Sequence, residues 1–174
     1  MLGRALVALS LTVGLAAAME LDLPTACTPG DDCLIQQYVD RDSGPDLSDY
    51  TCGGQTSDGH DSTDFRLRDL KEVEKGVAVL AAAIGVVVGI RDGVTDRLMR
   101  SEEDRAAVGE QECGNGVRID HGDGWSMQYC HMRNGPVAVK EGDKVEAGTK
   151  LGEVSYSGAA AFPQMHLSQR RLRR

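Results

Sequence analysis

The sequence predicts an all-β domain, a compact antiparallel sheet closed as a barrel or sandwich, behind an irregular N-terminal segment pinned by a disulfide. Three observations carry that expectation. Gly116-Val117-Arg118-Ile119-Asp120 alternates apolar with polar, His121-Gly122-Asp123-Gly124 turns, and Trp125 to Met132 runs out again, a hairpin signature. Val139 to Val154 repeats short apolar runs between glycine turns. Gly76 to Ile90 is long enough for a helix, but its valines and glycines favour two buried strands or one bent strand. Short strands at close spacing with glycine turns pack as sheets. Only 4% of the chain is aromatic, so small β-branched and alanine side chains are expected to fill the core.

Taken in order, residues 1–18 read as a secretory signal peptide. Arg4 gives a charged start, Ala5 to Ala18 is an apolar run of 14 residues, and Ala16-Ala17-Ala18 suits cleavage. That run is shorter than the ~20 residues of a spanning helix, so no stable membrane insertion is expected once the leader is removed. The location expected is periplasmic or secreted. Loss of Arg4 with the leader takes the formal charge from −8 to −9. So acidic a chain is a poor candidate for nucleic acid, whose binding rests on neutralising phosphates. Arg170, Arg171, Arg173 and Arg174 form a basic tail, read as a solvated terminus.

Residues 19–57 form a second unit, rich in proline and glycine (Pro24, Pro29, Gly30, Gly44, Pro45, Gly53, Gly54), in which only Cys33 to Val39 looks strand-like. All five cysteines, at 27, 33, 52, 113 and 130, lie beyond the leader and are disulfide candidates in an oxidising compartment. Cys113 and Cys130 flank two strand-like runs joined by a turn and could meet across the pair. Cys27, Cys33 and Cys52 can form only one bridge among themselves. There is no Cys-x-x-Cys pair, which argues against a zinc-thiolate site.

Residues 58–174 are the expected functional domain. Asp64 to Leu70 alternates Phe65 and Leu67 against Arg66 and Arg68, as a strand does. Residues 94–112 are charged and read as a short helix or an exposed insertion. In Phe162-Pro163-Gln164-Met165-His166-Leu167-Ser168 a strand would put Gln164, His166 and Ser168 on one face and Met165 and Leu167 on the other. With Gly59 to Asp64 and Gln128 to Met132, this stretch supplies three histidines, His60, His131 and His166, and a carboxylate, the ligand types of a zinc site with an open position. His121, in the hairpin turn, reads as structural or exposed. Trp125 and Tyr129 could line a groove or pack inside, and Tyr156 could rim a site or stand on a surface turn.

Four blocks occur in the order of a known pattern. His60-Asp61-Ser62-Thr63-Asp64 fits His-x-x-x-Asp. Ile119 to Gly124 followed by Tyr129-Cys130-His131-Met132 fits an Ile-Asp-His-Gly-x-Gly turn and Tyr-x-His-Leu. Val139 to Val154 fits a spaced valine–glycine run, and Phe162 to Leu167 fits Gly-Pro-His-Leu-His-Phe. Over residues 58–168 the chain thus resembles the lysostaphin and LytM type of zinc endopeptidase, with its duplicated hybrid motif fold, which cuts peptide bonds of bacterial peptidoglycan. The resemblance implies an antiparallel β fold with a groove, a peptidoglycan peptide as substrate, and Zn2+ held by His60, Asp64 and His166. It places His131 beside the metal, as acid or base or as donor to a developing oxyanion. The chain departs from the pattern at Gln164, which stands at the family's general-base position. An amide has no useful pKa. The resemblance therefore implies either a zinc metalloendopeptidase with an impaired proton relay, or a weakly active or inactive relative that binds peptidoglycan or regulates another cell-wall hydrolase.

Overall fold

A computed structural model describes residues 19–135 and 137–171. The expected leader at 1–18, and Arg173 and Arg174 of the basic tail, lie outside the described residues. The chain runs β1 (Cys33–Gln37), β2 (Ser62–Leu67), α1 (Leu70–Lys75), β3 (Ala78–Leu80), β4 (Gly85–Arg91), α2 (Glu102–Val108), β5 (Asn115–Gly122), β6 (Trp125–Met132), β7 (Lys144–Val145), β8 (Lys150–Glu153) and β9 (Gln164–Arg171). Seven strands form one sheet in the order β1-β2-β9-β6-β5-β4-β7, and β3 pairs with β8 apart from it. Every pairing is antiparallel. The all-β expectation holds, and a disulfide joins Cys27 to Cys33 in the N-terminal segment.

The two faces of the large sheet differ because partners across an antiparallel pair point the same way. Phe65 lies opposite Met165, Tyr129 opposite Val117 and Met127 opposite Ile119, and all six are buried in the core. Asp64 lies opposite His166 and Ser62 opposite Ser168, on the other face. The core is closed by β3, β8 and the buried run Ala81-Ala82-Ala83. The expected small β-branched and alanine side chains supply much of its filling, among them Val79, Val87, Val117, Val154 and Ala160, and larger side chains stand between them. Tyr129, Leu67, Ile119, Leu151, Met127, Met132 and Met165 are its largest fully buried members. Unbranched methionines adapt to irregular gaps, which makes up for the scarcity of aromatics.

Tyr129 fastens the alanine run to the sheet, its hydroxyl accepting from Ala82 N at 2.8 Å. Burial pushes this phenol up to about 12, against the opposing hydrogen bond from Ala82. Its unfolded value is about 10. The stability that the neutral phenol contributes is therefore complete below about pH 10 and is lost as the pH rises through about 12. Tyr129→Phe should flatten the dependence of melting temperature on pH over that window. An unchanged slope would assign the alkaline loss to another group.

Two local expectations need correction and a third holds. The strand predicted over 64–70 lies at 62–67, because Asp69 caps a helix instead: its side chain accepts from Lys71 N and Glu72 N, and Gly76 ends α1 in the left-handed region at φ 82°. The run 76–90 does form two strands, but they belong to different sheets. Nor is the second one buried on both faces, since Val86 and Val88 are 37% and 40% exposed. Residues 94–112 carry the short helix α2, which buries none of its side chains.

Candidate functional site

β9 enters the sheet between β2 and β6, so residues from three distant segments become neighbours. Asp64 and His166 face each other across β2 and β9, with His166 Nδ1 2.9 Å from Asp64 Oδ1. His60 stands just before β2, held by its backbone: its N–H donates to Ser57 O at 2.9 Å and its carbonyl accepts from Asp40 N at 2.7 Å. Its Nε2 lies 3.4 Å from Asp64 Oδ2. One donor atom from each of His60, Asp64 and His166 lies within 4.8 Å of the other two. Two imidazole nitrogens and one carboxylate oxygen, gathered so closely, suit a divalent ion such as zinc. Burial opposes ionisation of Asp64, but the hydrogen bonds and charges of His166 and His60 outweigh it and hold the carboxyl well below the usual range.

His131 reaches the same neighbourhood through an irregularity. The β5–β6 register slips between Asn115↔Met132 and Val117↔Tyr129, so Cys130 and His131 together stand against Gly116. His131 takes φ 62°, in the left-handed region. Gly116 is required there, because a Cβ would come 2.3 Å from Tyr129 O. The disulfide Cys113–Cys130 ties the bulge to the segment before β5, and His131 N donates to Cys113 O at 2.8 Å. The His131 ring ends 5.5 Å from that of His166, centroid to centroid. Its Nδ1 donates to Ser157 O at 2.8 Å, which leaves Nε2 with a free lone pair. Burial, then the charge of His166, push its pKa down to about 4 although Ser157 O acts the other way. The ring is neutral at pH 7.

Gln164 shares the His166 face of β9, two residues away. Its Oε1 is buried with no hydrogen-bond partner among the described residues. The remaining candidates lie elsewhere. Tyr129 is in the core and lines no groove. Trp125 begins β6 beneath the guanidinium of Arg171, 5.5 Å from its ring centroid. His121 Nδ1 bonds Ile84 O at 2.7 Å. Tyr156 is half-buried and packs against the core. Cys27, Cys33 and Asp32 also cluster, but both sulfurs are spent on their disulfide, and Cys52 is free and exposed.

Two polar neighbours were not anticipated from the sequence. Ser62 Oγ lies 2.8 Å from His60 Nε2, from Asp64 Oδ1 and from His166 Nδ1. Asp61 Oδ1 lies 3.6 Å from His166 Nε2, with Arg170 on its other oxygen at 2.9 Å. The strand period carried a signal for Ser62: two residues before Asp64 on one strand, it must share the Asp64 face.

The sequence model of peptidase family M23 matches residues 59–174. Over 57 residues, 33% of this chain, the sequence is 35% identical to the cell division protein DipM of Caulobacter vibrioides, and the match spans 9% of that protein's length. The catalytic domain of the prophage-encoded M23 protein EnpA from Enterococcus faecalis superposes with a TM-score of 0.55 at 21% identity, over 83% of this chain and 85% of its own. The SpoIIIAH–SpoIIQ complex structure superposes with a TM-score of 0.59 at 16% identity, over 87% of this chain and 92% of the matched one. At these identities the structural likeness is one of fold.

Proposed function

The chain belongs to peptidase family M23, and from that premise we propose that it is an exported zinc metalloendopeptidase that hydrolyses peptide bonds of bacterial peptidoglycan, working in the periplasm or outside the cell. The observation that carries the reading is the convergence of His60, Asp64 and His166. These three would hold the ion. When bound, zinc supplies Lewis acidity, polarising a peptide carbonyl and bringing the pKa of water from about 15.7 towards ~7. The protein's own part is proton handling and orientation. His131, with its Nδ1 proton committed to Ser157 O, offers Nε2 as an acceptor. In this reading it takes a proton from water and returns it to the leaving amine. Its low proton affinity makes it a weak base. Gln164 can orient water through its amide but takes no proton.

Gln164 is also the observation that favours a second reading, a weakly active or inactive relative that binds peptidoglycan or regulates another cell-wall hydrolase. Zinc content of the purified protein, measured beside the release of peptides from purified peptidoglycan, separates the two. Stoichiometric zinc with measurable release supports the peptidase. Stoichiometric zinc with no release selects the binding or regulatory role. Absence of zinc after metal-replete purification contradicts both.

A further inference from the structure

Ser62 is wholly buried, and its hydroxyl stands equidistant, at 2.8 Å, from a donor atom of each of His60, Asp64 and His166. A hydroxyl has one proton and two lone pairs. Without a metal these needs are met in full. Asp64, ionised, can only accept, so Ser62 donates to it. His60 Nε2 and His166 Nδ1, each with a single N–H, then share it between the serine oxygen at 2.8 Å and the Asp64 carboxylate at 3.4 and 2.9 Å. An ion changes the balance, because both ring nitrogens must present lone pairs to it. Neither can donate any longer. The two lone pairs of Ser62 Oγ lose their partners while lying among the atoms that surround the ion.

Distance points the same way. Zinc bonds of about 2.1 Å set tetrahedral ligands roughly 3.4 Å apart. Ser62 Oγ is nearer than that to all three, and farther than a bond length. Each separation is about 0.6 Å short of a ligand's spacing, so an outward displacement of somewhat more than that, under about 1 Å, would bring it there. We propose that Ser62 Oγ is a fourth protein donor to the metal, competing with water for the open corner and holding the three other ligands in place when the ion is away. This rests on the metal-site reading above. A serine at that corner would restrain activity independently of Gln164.

Cobalt(II) tests the proposal through spectra rather than turnover. The metal-free full chain is titrated with Co2+ as wild type, Ser62→Ala and Ser62→Cys. If residue 62 reaches the ion, Ser62→Cys gains a near-ultraviolet sulfur-to-cobalt charge-transfer band that wild type lacks, the free Cys52 of wild type being the internal control. Ser62→Ala should bind zinc about tenfold more weakly in chelator competition, the scale seen when a group supporting a metal site is removed. Visible cobalt bands in wild type, with no charge-transfer band in Ser62→Cys, would overturn the proposal and leave the metal site standing. A wild type that takes up no cobalt would overturn the metal site and the proposal together. Should Ser62→Ala fold poorly, the thiol variant, close in size to serine, carries the test.

Discussion

Gln164→His is expected to raise the rate of peptide release from purified peptidoglycan by about 10²–10⁴-fold, the usual worth of a positioned general base. The side chain at 164 emerges on the His166 face of β9 and is buried, so an imidazole there is aimed at the same neighbourhood. The buried Gln164 Oε1 has no partner among the described residues, so no hydrogen bond to that oxygen is given up by the change. Across the β2–β9 register the opposite residue is Arg66, whose positive charge favours the neutral, proton-accepting form of a histidine. His131 supplies only a weaker base, because burial holds its pKa down to about 4. Initial rates at equal zinc loading are the measurement. Equal rates for variant and wild type would mean that a missing base is not what limits this protein.

Asp64→Asn should lower zinc affinity by at least about 100-fold, since loss of a group that merely orients a ligand already costs 10–100-fold. Asp64 is the only anion among the three gathered residues, and it is almost wholly buried. Asparagine keeps the shape and removes the charge. Its amide hydrogens would also confront the Ser62 hydroxyl and the two imidazoles, which now donate to a carboxylate. Chelator competition measures the loss, and thermal unfolding of the metal-free variant checks that the sheet survives. Wild-type affinity in a folded Asp64→Asn protein would remove Asp64 from the ligand set.

The hairpin β5–β6 was legible because alternation and a glycine turn are written in adjacent residues. The two faces of β9 were legible for the same reason: Met165 went to the core while Gln164 and His166 went to the polar face. Helix α1 was not, because six residues are too few to show a helical period, and only the cap at Asp69 and the glycine at 76 betray it. The exposure of Val86 and Val88 was hidden for another reason. Apolar composition records which residues tolerate burial, whereas burial itself depends on what packs over each face.

The sequence by itself determined the all-β class, the motif order that resembles zinc endopeptidases, and the amide at position 164, since each is a property of neighbouring residues or their spacing. The tertiary structure decided which side chains meet. Ser62 and His166 are 104 residues apart, and they touch only because β9 inserts beside β2. His131 reaches their neighbourhood only because a bulge against Gly116 breaks the alternation of β6. Local periodicity carries no information about which strand becomes a neighbour, and that choice places a serine hydroxyl among three ligand-type side chains.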